Sequence, residues 1–359
     1  MASVELRDRD AAVTGDGLIF RIFGYSHPER SFICDPEYAS SEIFNSTDPR
    51  APRGQGQNSF YKFYEDQGLR FIQEKYPRYM IFHEMLGRKV VGVGLGNIFI
   101  VRKPEKALLE LVETTPKDNL HRAVQKVLEN VLPCSKLNLT DFGVFGSLLH
   151  KFYHPRFSDI DLIIYGGRNL VRLLENLQEF YESDASSLRN EFATESSVAG
   201  KSWRFTNLSL KEYLWHQQRK LIYSLFEDPA SGRTIKTEFE PVKSWEEIRN
   251  DYDPKTKIMS KGWTNIRAKI LDDTESPFIP SIYDIEPLEV SEGYKQAIEA
   301  NRLVSYLEEF RLQAKRDETV DVTGNLEEIA GPHGNYFQIT LTYCPRYYEQ
   351  VLKVSNPKP

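Results

Sequence analysis

Cysteine is scarce in this chain: Cys34, Cys134 and Cys344 are spread over 359 residues. Their number is odd and their spacing matches no metal-ligand pattern. This excludes a disulfide framework and a cysteine-zinc module, and it fits a reducing cytoplasm. Long apolar runs are also missing. No stretch of eighteen apolar residues exists, so no membrane-spanning helix is expected. The opening decapeptide, Met1-Ala-Ser-Val-Glu-Leu-Arg-Asp-Arg-Asp10, is too polar for a signal peptide. Positive charge is not in surplus either: 46 Lys and Arg stand against 52 Asp and Glu, a formal charge of −6. That excludes a general basic coat for nucleic acid and leaves room for a local basic groove. The remaining composition, 40% hydrophobic and 27% charged, is that of a soluble globular protein long enough for two or three cores. Nothing in the pattern specifies an oligomer.

Punctuation and periodicity divide the chain into residues 1–115, 116–258 and 259–359. In the first part, residues 17–25 and 79–93 have strand composition, and residues 45–58, rich in Pro, Gly, Ser and Arg, form a loop. Helices are expected over residues 66–76, closed by Pro77, and over 104–112, opened by Pro104 at a position where its missing N–H costs nothing. In the second part, Leu120, Val124, Val127, Leu128 and Val131 line one face of a helix over residues 118–132, which Pro133 should stop. Gly166-Gly167 turns the chain into another helix, residues 169–182, with Leu170, Leu173, Leu174, Leu177 and Tyr181 as its apolar stripe. Residues 184–201 are polar and loop-rich. Ser209-Leu-Lys-Glu212 is a capping box that opens a helix running to about residue 226, and residues 233–242 read as a strand. In the last part, residues 264–271, 278–290, 319–329 and 335–343 are strand-like, with a hairpin turn at Gly331-Pro-His-Gly334. Spacing alone does not separate a closed OB-like barrel from a curved antiparallel sheet.

The chemistry concentrates at Phe145-Gly146-Ser147 and, after eleven intervening residues, Asp159-Ile160-Asp161. Gly146-Ser147 lies where an apolar stretch (142–145) meets a short helical one (148–153). Asp159 and Asp161 open the apolar strand 160–165 and, with period-two alternation, project to one side. Adjacent half-buried carboxylates repel and lose hydration, and a divalent cation relieves both penalties. The plainer alternative is a capped tight turn beside a solvated strand end.

The whole pattern, Phe145-Gly146-Ser147 followed by Ser158-Asp159-Ile160-Asp161-Leu162, resembles the DNA polymerase beta-type nucleotidyltransferase superfamily over residues 138–242. The run Asp16-Gly-Leu-Ile-Phe-Arg-Ile-Phe-Gly-Tyr-Ser-His27 is also similar to a group of predicted archaeal nucleotidyltransferases. The resemblance implies a mixed-sheet nucleotidyltransferase core; with the strand and helix pattern on either side of it, the chain reads as an α+β protein with an N-terminal α/β region and a C-terminal antiparallel β-rich module, a curved sheet or an OB-like barrel. The resemblance also implies Mg²⁺-dependent transfer of a nucleoside monophosphate from a nucleoside triphosphate to an acceptor hydroxyl, with release of pyrophosphate. Two ions would be held, with Mn²⁺ as a substitute.

In that reading Gly146 lets backbone approach phosphate oxygens, and Ser147 offers a hydroxyl at a helix start. Asp159 and Asp161 hold the metals. A third carboxylate comes from the strand Thr234-Ile-Lys-Thr-Glu-Phe-Glu-Pro241. Glu238, between Thr237 and Phe239, fits the apolar-acid-apolar pattern better than Glu240, which precedes Pro241; both could instead face solvent. Arg219 and Lys220, late on the capped helix, are candidate triphosphate partners. His150 and His154 have no third ligand nearby, so no zinc site is expected. Tyr283, Tyr306, Tyr336, Phe337 and Tyr343 could stack bases, with Arg302, Arg311, Lys315 and Arg316 adding positive charge. The acceptor is open: a nucleic-acid end, a protein hydroxyl or a small molecule. The non-enzyme alternative is a nucleotide- or RNA-binding protein with a degenerate core.

Overall fold

The computed structural model describes residues 5–54, 59–198, 203–332 and 334–355. Residues 55–58 and 199–201 of two expected loops, and His333 of the expected turn, lie outside the described residues. The chain divides into two compact units. One is Met1–His83, Arg88–Arg189 and Ser224–Tyr252; the other is Glu84–Gly87, Asn190–Tyr223 and Asp253–Pro359. The described residues form an α+β protein with three sheets and six helices.

The first unit opens with β1 (Ala11–Thr14), β2 (Leu18–Ile22), β3 (Ser31–Ser40), β4 (Pro52–Arg53), β5 (Phe60–Lys62), β6 (Met80–His83), β7 (Arg88–Gly94) and β8 (Ile98–Arg102). They form one sheet of order β4-β5-β3-β2-β1-β8, with β7 joining β3 to β6. Its registered pairs are antiparallel, unlike an α/β layer, because short connections leave no room for the crossovers that parallel strands need. On β2, Leu18, Ile19, Phe20 and Ile22 are all fully buried, so both faces of the sheet's centre are covered. Phe20, Ala39, Tyr79 and Val93 join one core with Ile72 of α1 (Gln67–Lys75).

Two helices lead on to the second sheet. α2 (Pro104–Glu113) starts at its proline. α3 (Asn119–Ser135) is capped by Asp118, whose side chain accepts the N–H of His121. It runs past Pro133 instead of stopping there. A proline this close to a helix end removes one bond only, the Ser135 hydroxyl donates to the Val131 carbonyl at 2.7 Å, and the left-handed Lys136 ends the helix.

The second sheet has the order β11-β12-β13-β10-β9, built from β9 (Phe142–Val144), β10 (Ile160–Tyr165), β11 (Leu188–Asn190), β12 (Tyr223–Asp228) and β13 (Arg233–Val242). The β10 strand pairs antiparallel with β9 and parallel with β13. Between β9 and β10 lies α4 (Gly146–Leu149), a single turn shorter than the sequence suggests. After β10, α5 (Gly167–Glu182) buries Leu170, Leu173 and Leu177.

In the second unit, α6 (Leu210–Arg219) has the expected capping box, with Ser209 and Glu212 bonded reciprocally. It ends before residue 226, because Leu221 turns left-handed (φ 64°) and the chain enters β12. The sheet comprises β14 (Lys257–Asp272), β15 (Ser281–Glu292), β16 (Ala300–Ser305), β17 (Thr319–Gly331), β18 (Gly334–Leu341) and β19 (Val351–Val354). Its order is β14-β15-β16-β18-β17-β19, and a long β14–β17 pairing closes five strands into a ring. β16 and β18 are parallel; the other registered pairs are antiparallel. Ile266, Tyr283, Leu303, Val322 and Ile339 fill the inside. Among the described residues no helix is long and apolar enough to cross a membrane.

Candidate functional site

The pairing of β10 with β13 sets the site. In the parallel register Asp161 is the direct neighbour of Glu238, and Ile163 is the neighbour of Glu240. Alternation puts Asp159, Asp161 and Ile163 on one face of β10, and Lys236, Glu238 and Glu240 on the matching face of β13. The apolar residues between them, Ile160, Leu162 and Phe239, are fully buried on the other face. The pattern that makes β10 a strand therefore also aims its two carboxylates.

The two glutamates have different surroundings. Glu240 is buried, and its Oε2 accepts from Arg9 Nη2 at 2.8 Å. Arg9 is itself 1% exposed and also faces Asp8 at 3.7 Å. Glu238 is half-buried, and its Oε1 lies 2.5 Å from Lys236 Nζ. The glutamate beside Asp161 is thus the more accessible one, while Glu240 is tied to the N-terminal segment.

Gly146 completes this corner. Its backbone is left-handed (φ 60°), and a Cβ there would stand 2.6 Å from Asp161 Oδ2. The Phe145 N–H donates to the Asp161 carbonyl at 2.9 Å, fixing the turn against β10. Ser147 is buried, its Oγ donating to Ser158 Oγ at 3.3 Å, and Ser158 Oγ accepts the His154 N–H. The leading serine of the Asp motif therefore ties the glycine turn to the strand that carries the aspartates. A one-turn helix adds little macrodipole, so any phosphate contact here would rest on single N–H groups and the hydroxyl.

Crowding acts on the carboxyls. Burial pushes Asp161 from its ordinary 3.8 up to about 8, and the charges of Glu238 and then Asp159 push the same way. Asp159, more open, is also raised by desolvation, against the pull of Lys236, Arg233, Lys62 and Arg53. Like-charged oxygens held together against repulsion make a functional-site candidate. An all-oxygen set of this kind suits a hard divalent cation such as Mg²⁺. Among the described residues no three His, Cys, Asp or Glu side chains converge as a ready metal cage. Glu238 would have to turn from Lys236 to join the two aspartates.

Arg219 and Lys220 belong to the second unit and are engaged there. Arg219 pairs with Glu318 at 2.6 Å and lies over the Trp215 ring. Lys220 is 2% exposed, and its Nζ donates to the Glu309 carbonyl at 2.6 Å. Burial and the nearby Arg311 hold its pKa well below the usual lysine value. Of the aromatic candidates, Tyr283 is core, its hydroxyl donating to the Phe310 carbonyl, and Tyr306, Tyr336 and Phe337 are half-buried. Tyr343 is 64% exposed and stacks on Tyr347 at 5.4 Å. Arg311 is buried and takes no part in an exposed basic patch; Lys315 and Arg316 are exposed. His150 is buried, with Nδ1 against Arg102 at 2.8 Å and Nε2 3.8 Å from Glu37.

Sequence reading missed Arg9 and Lys62. The Arg-Asp-Arg-Asp run at 7–10 registers only as polarity, although all four residues are buried. The signal for Lys62 is slight: a cation closing a short strand.

No protein-family model matches the chain. It is similar to an uncharacterized protein of Methanocaldococcus jannaschii, with 23% identity over 362 residues that span 98% of this chain and 100% of the other. No solved structure matches.

Proposed function

We propose that the chain is a Mg²⁺-dependent nucleotidyltransferase that moves a nucleoside monophosphate from a nucleoside triphosphate to an acceptor hydroxyl. The observation that carries this reading is the register of β10 and β13, which sets Glu238 beside Asp161 with Asp159 on the same face. Asp159, Asp161 and Glu238 would be the metal-holding oxygens. Two bound cations would neutralise triphosphate charge and acidify the acceptor hydroxyl. Gly146 keeps the wall beside Asp161 free of a Cβ, and the Ser147 hydroxyl would turn its proton from Ser158 to a phosphate oxygen. The acceptor oxygen attacks the α-phosphorus in line, its proton leaves, and the bond to the β-phosphate oxygen breaks to release pyrophosphate.

A nucleic-acid end is the acceptor we favour. The closed order β14-β15-β16-β18-β17, with β16 and β18 parallel, supports an OB-like module, a fold that binds oligonucleotides. The exposed Tyr343, stacked on Tyr347, is a base-sized platform.

One observation favours the second reading, a nucleotide- or RNA-binding protein with a degenerate core: the Glu238 carboxylate sits on Lys236. The deciding experiment is label transfer from each α-³²P nucleoside triphosphate, with Mg²⁺ or Mn²⁺, to RNA, a DNA primer or the protein itself. Transfer that disappears in the Asp159→Ala, Asp161→Ala double variant is expected. Undiminished pyrophosphate release by that variant would refute the assignment.

A further inference from the structure

We infer that Lys62, brought in by the N-terminal sheet, is the cation that grips the phosphates of the nucleotide at the Asp159–Asp161 site. The inference rests on the transferase reading and gives the N-terminal sheet a part in that site. Lys62 is the direct antiparallel partner of Tyr38. Opposed residues in such a pair share a face, as do Phe60 and Lys62 two apart on β5. That face is turned toward the glycine turn. The Tyr38 ring meets Phe152 edge-on at 4.9 Å and His150 at 5.3 Å, and Phe60 lies 5.5 Å from Phe152. The Phe152 N–H in turn donates to the carbonyl of Ser147.

Through Phe152 this packing sets the Lys62 face of β5 against the Gly146–Ser147 turn, where the Gly146 backbone stands against the Asp161 carboxylate; the Lys62 charge pulls the Asp159 and Asp161 carboxyls down in the same sense. The ammonium is also uncommitted. Among the described residues Lys62 forms no ion pair, and the nearest aromatic face, Tyr64, lies 5.9 Å from its Nζ. The other cations around the aspartates are occupied. Lys236 is on Glu238, the Arg233 guanidinium donates to the carbonyls of Pro155 and Ser158, and Arg53 donates to the carbonyls of Arg50 and Pro52. A half-buried lysine that ends no ion pair, beside carboxylates that need counter-charge, suits a triphosphate carrying several negative oxygens. Such an ammonium binds phosphate as a point charge.

The test is equilibrium binding of the four α-³²P ribonucleoside triphosphates in Mg²⁺, with inorganic tripolyphosphate as competitor and the matching nucleoside as control. Lys62→Gln keeps the stem and removes the charge; Lys62→Arg restores charge. The expected result is a loss of about tenfold or more in triphosphate and tripolyphosphate affinity for Lys62→Gln. Lys62→Arg should recover most of it, with nucleoside binding and melting temperature unchanged. In the transfer assay KM should rise more than kcat falls. Wild-type triphosphate affinity in Lys62→Gln overturns the inference and leaves the transferase reading standing. Equal loss of nucleoside binding, or a lowered melting temperature, marks Lys62 as structural and also overturns it. A wild-type protein that binds none of the four triphosphates removes the transferase reading itself, and this inference with it.

Discussion

The position where Gly146 would carry a Cβ lies 2.6 Å from Oδ2 of Asp161. The glycine is doubly constrained, since its φ of 60° is also one that L side chains avoid. Gly146→Ala should therefore displace the Asp161 carboxylate and cost about 1–2 kcal/mol of stability for the backbone alone. Urea unfolding reads the second effect and label transfer the first. A fully active, equally stable alanine variant would remove Gly146 from the site.

The two glutamates of β13 should separate cleanly. Glu238→Gln is expected to leave the fold intact and, on the proposed function, to lower transfer on the order of 100-fold or more, by removing the carboxylate charge beside Asp161. Glu240→Ala strands the buried Arg9, and breaking a buried pair costs about 3–5 kcal/mol. The residual contact of Arg9 with Asp8 argues for the lower end. Transfer per folded molecule should survive in Glu240→Ala. The reverse pattern, with Glu240 essential and Glu238 dispensable, would move the third carboxylate to Glu240.

Asp161 gives the apo protein a signed pH dependence. Its folded pKa, about 8, lies above its ordinary 3.8, through burial and the charges of Glu238 and Asp159. The folded state therefore holds a proton that the unfolded chain gives up. That contribution to stability is complete below about pH 4 and is lost as pH rises through about 8. Asp161→Asn cannot lose it. Without metal, the variant's urea midpoint should match wild type near pH 4 and exceed it near pH 9. Mg²⁺ binding by the wild type should strengthen toward pH 8 and release protons. A difference between the two proteins that stays flat across that range would show that Asp161 titrates normally.

The local devices of the chain are legible in the sequence because each is set by neighbours. The Ser209–Glu212 capping box, the start of α2 at Pro104, and the burial of Ile160, Leu162 and Phe239 depend on residues a few places apart. What the sequence left open depends on distant pairing. Which glutamate neighbours Asp161 depends on the β10–β13 register. The approach of Lys62 is made by its pairing with Tyr38, which no spacing near Asp161 announces. The end of α6 falls short of residue 226 although Tyr223 to Phe226 continues an apolar pattern, because the left-handed Leu221 breaks it. Strands β16 and β19 are not legible because Ala300–Ser305 and Val351–Val354 are short.

Arg219 and Lys220, the basic pair that the resemblance offered for the triphosphate, have other work in the second unit. Arg219→Ala gives up a partly buried pair with Glu318 and a ring contact with Trp215, together worth about 1–2 kcal/mol. Lys220→Met keeps the stem length and removes an ammonium whose burial beside Arg311 already disfavours its charge. It should be neutral or stabilising, provided the Glu309 carbonyl loses little with its donor. Neither change should move the KM for nucleoside triphosphate by more than about twofold, while Lys62→Gln moves it by about tenfold. A KM raised tenfold by Arg219→Ala, in a variant that melts at the wild-type temperature, would return that arginine to the triphosphate and weaken the case for the N-terminal sheet.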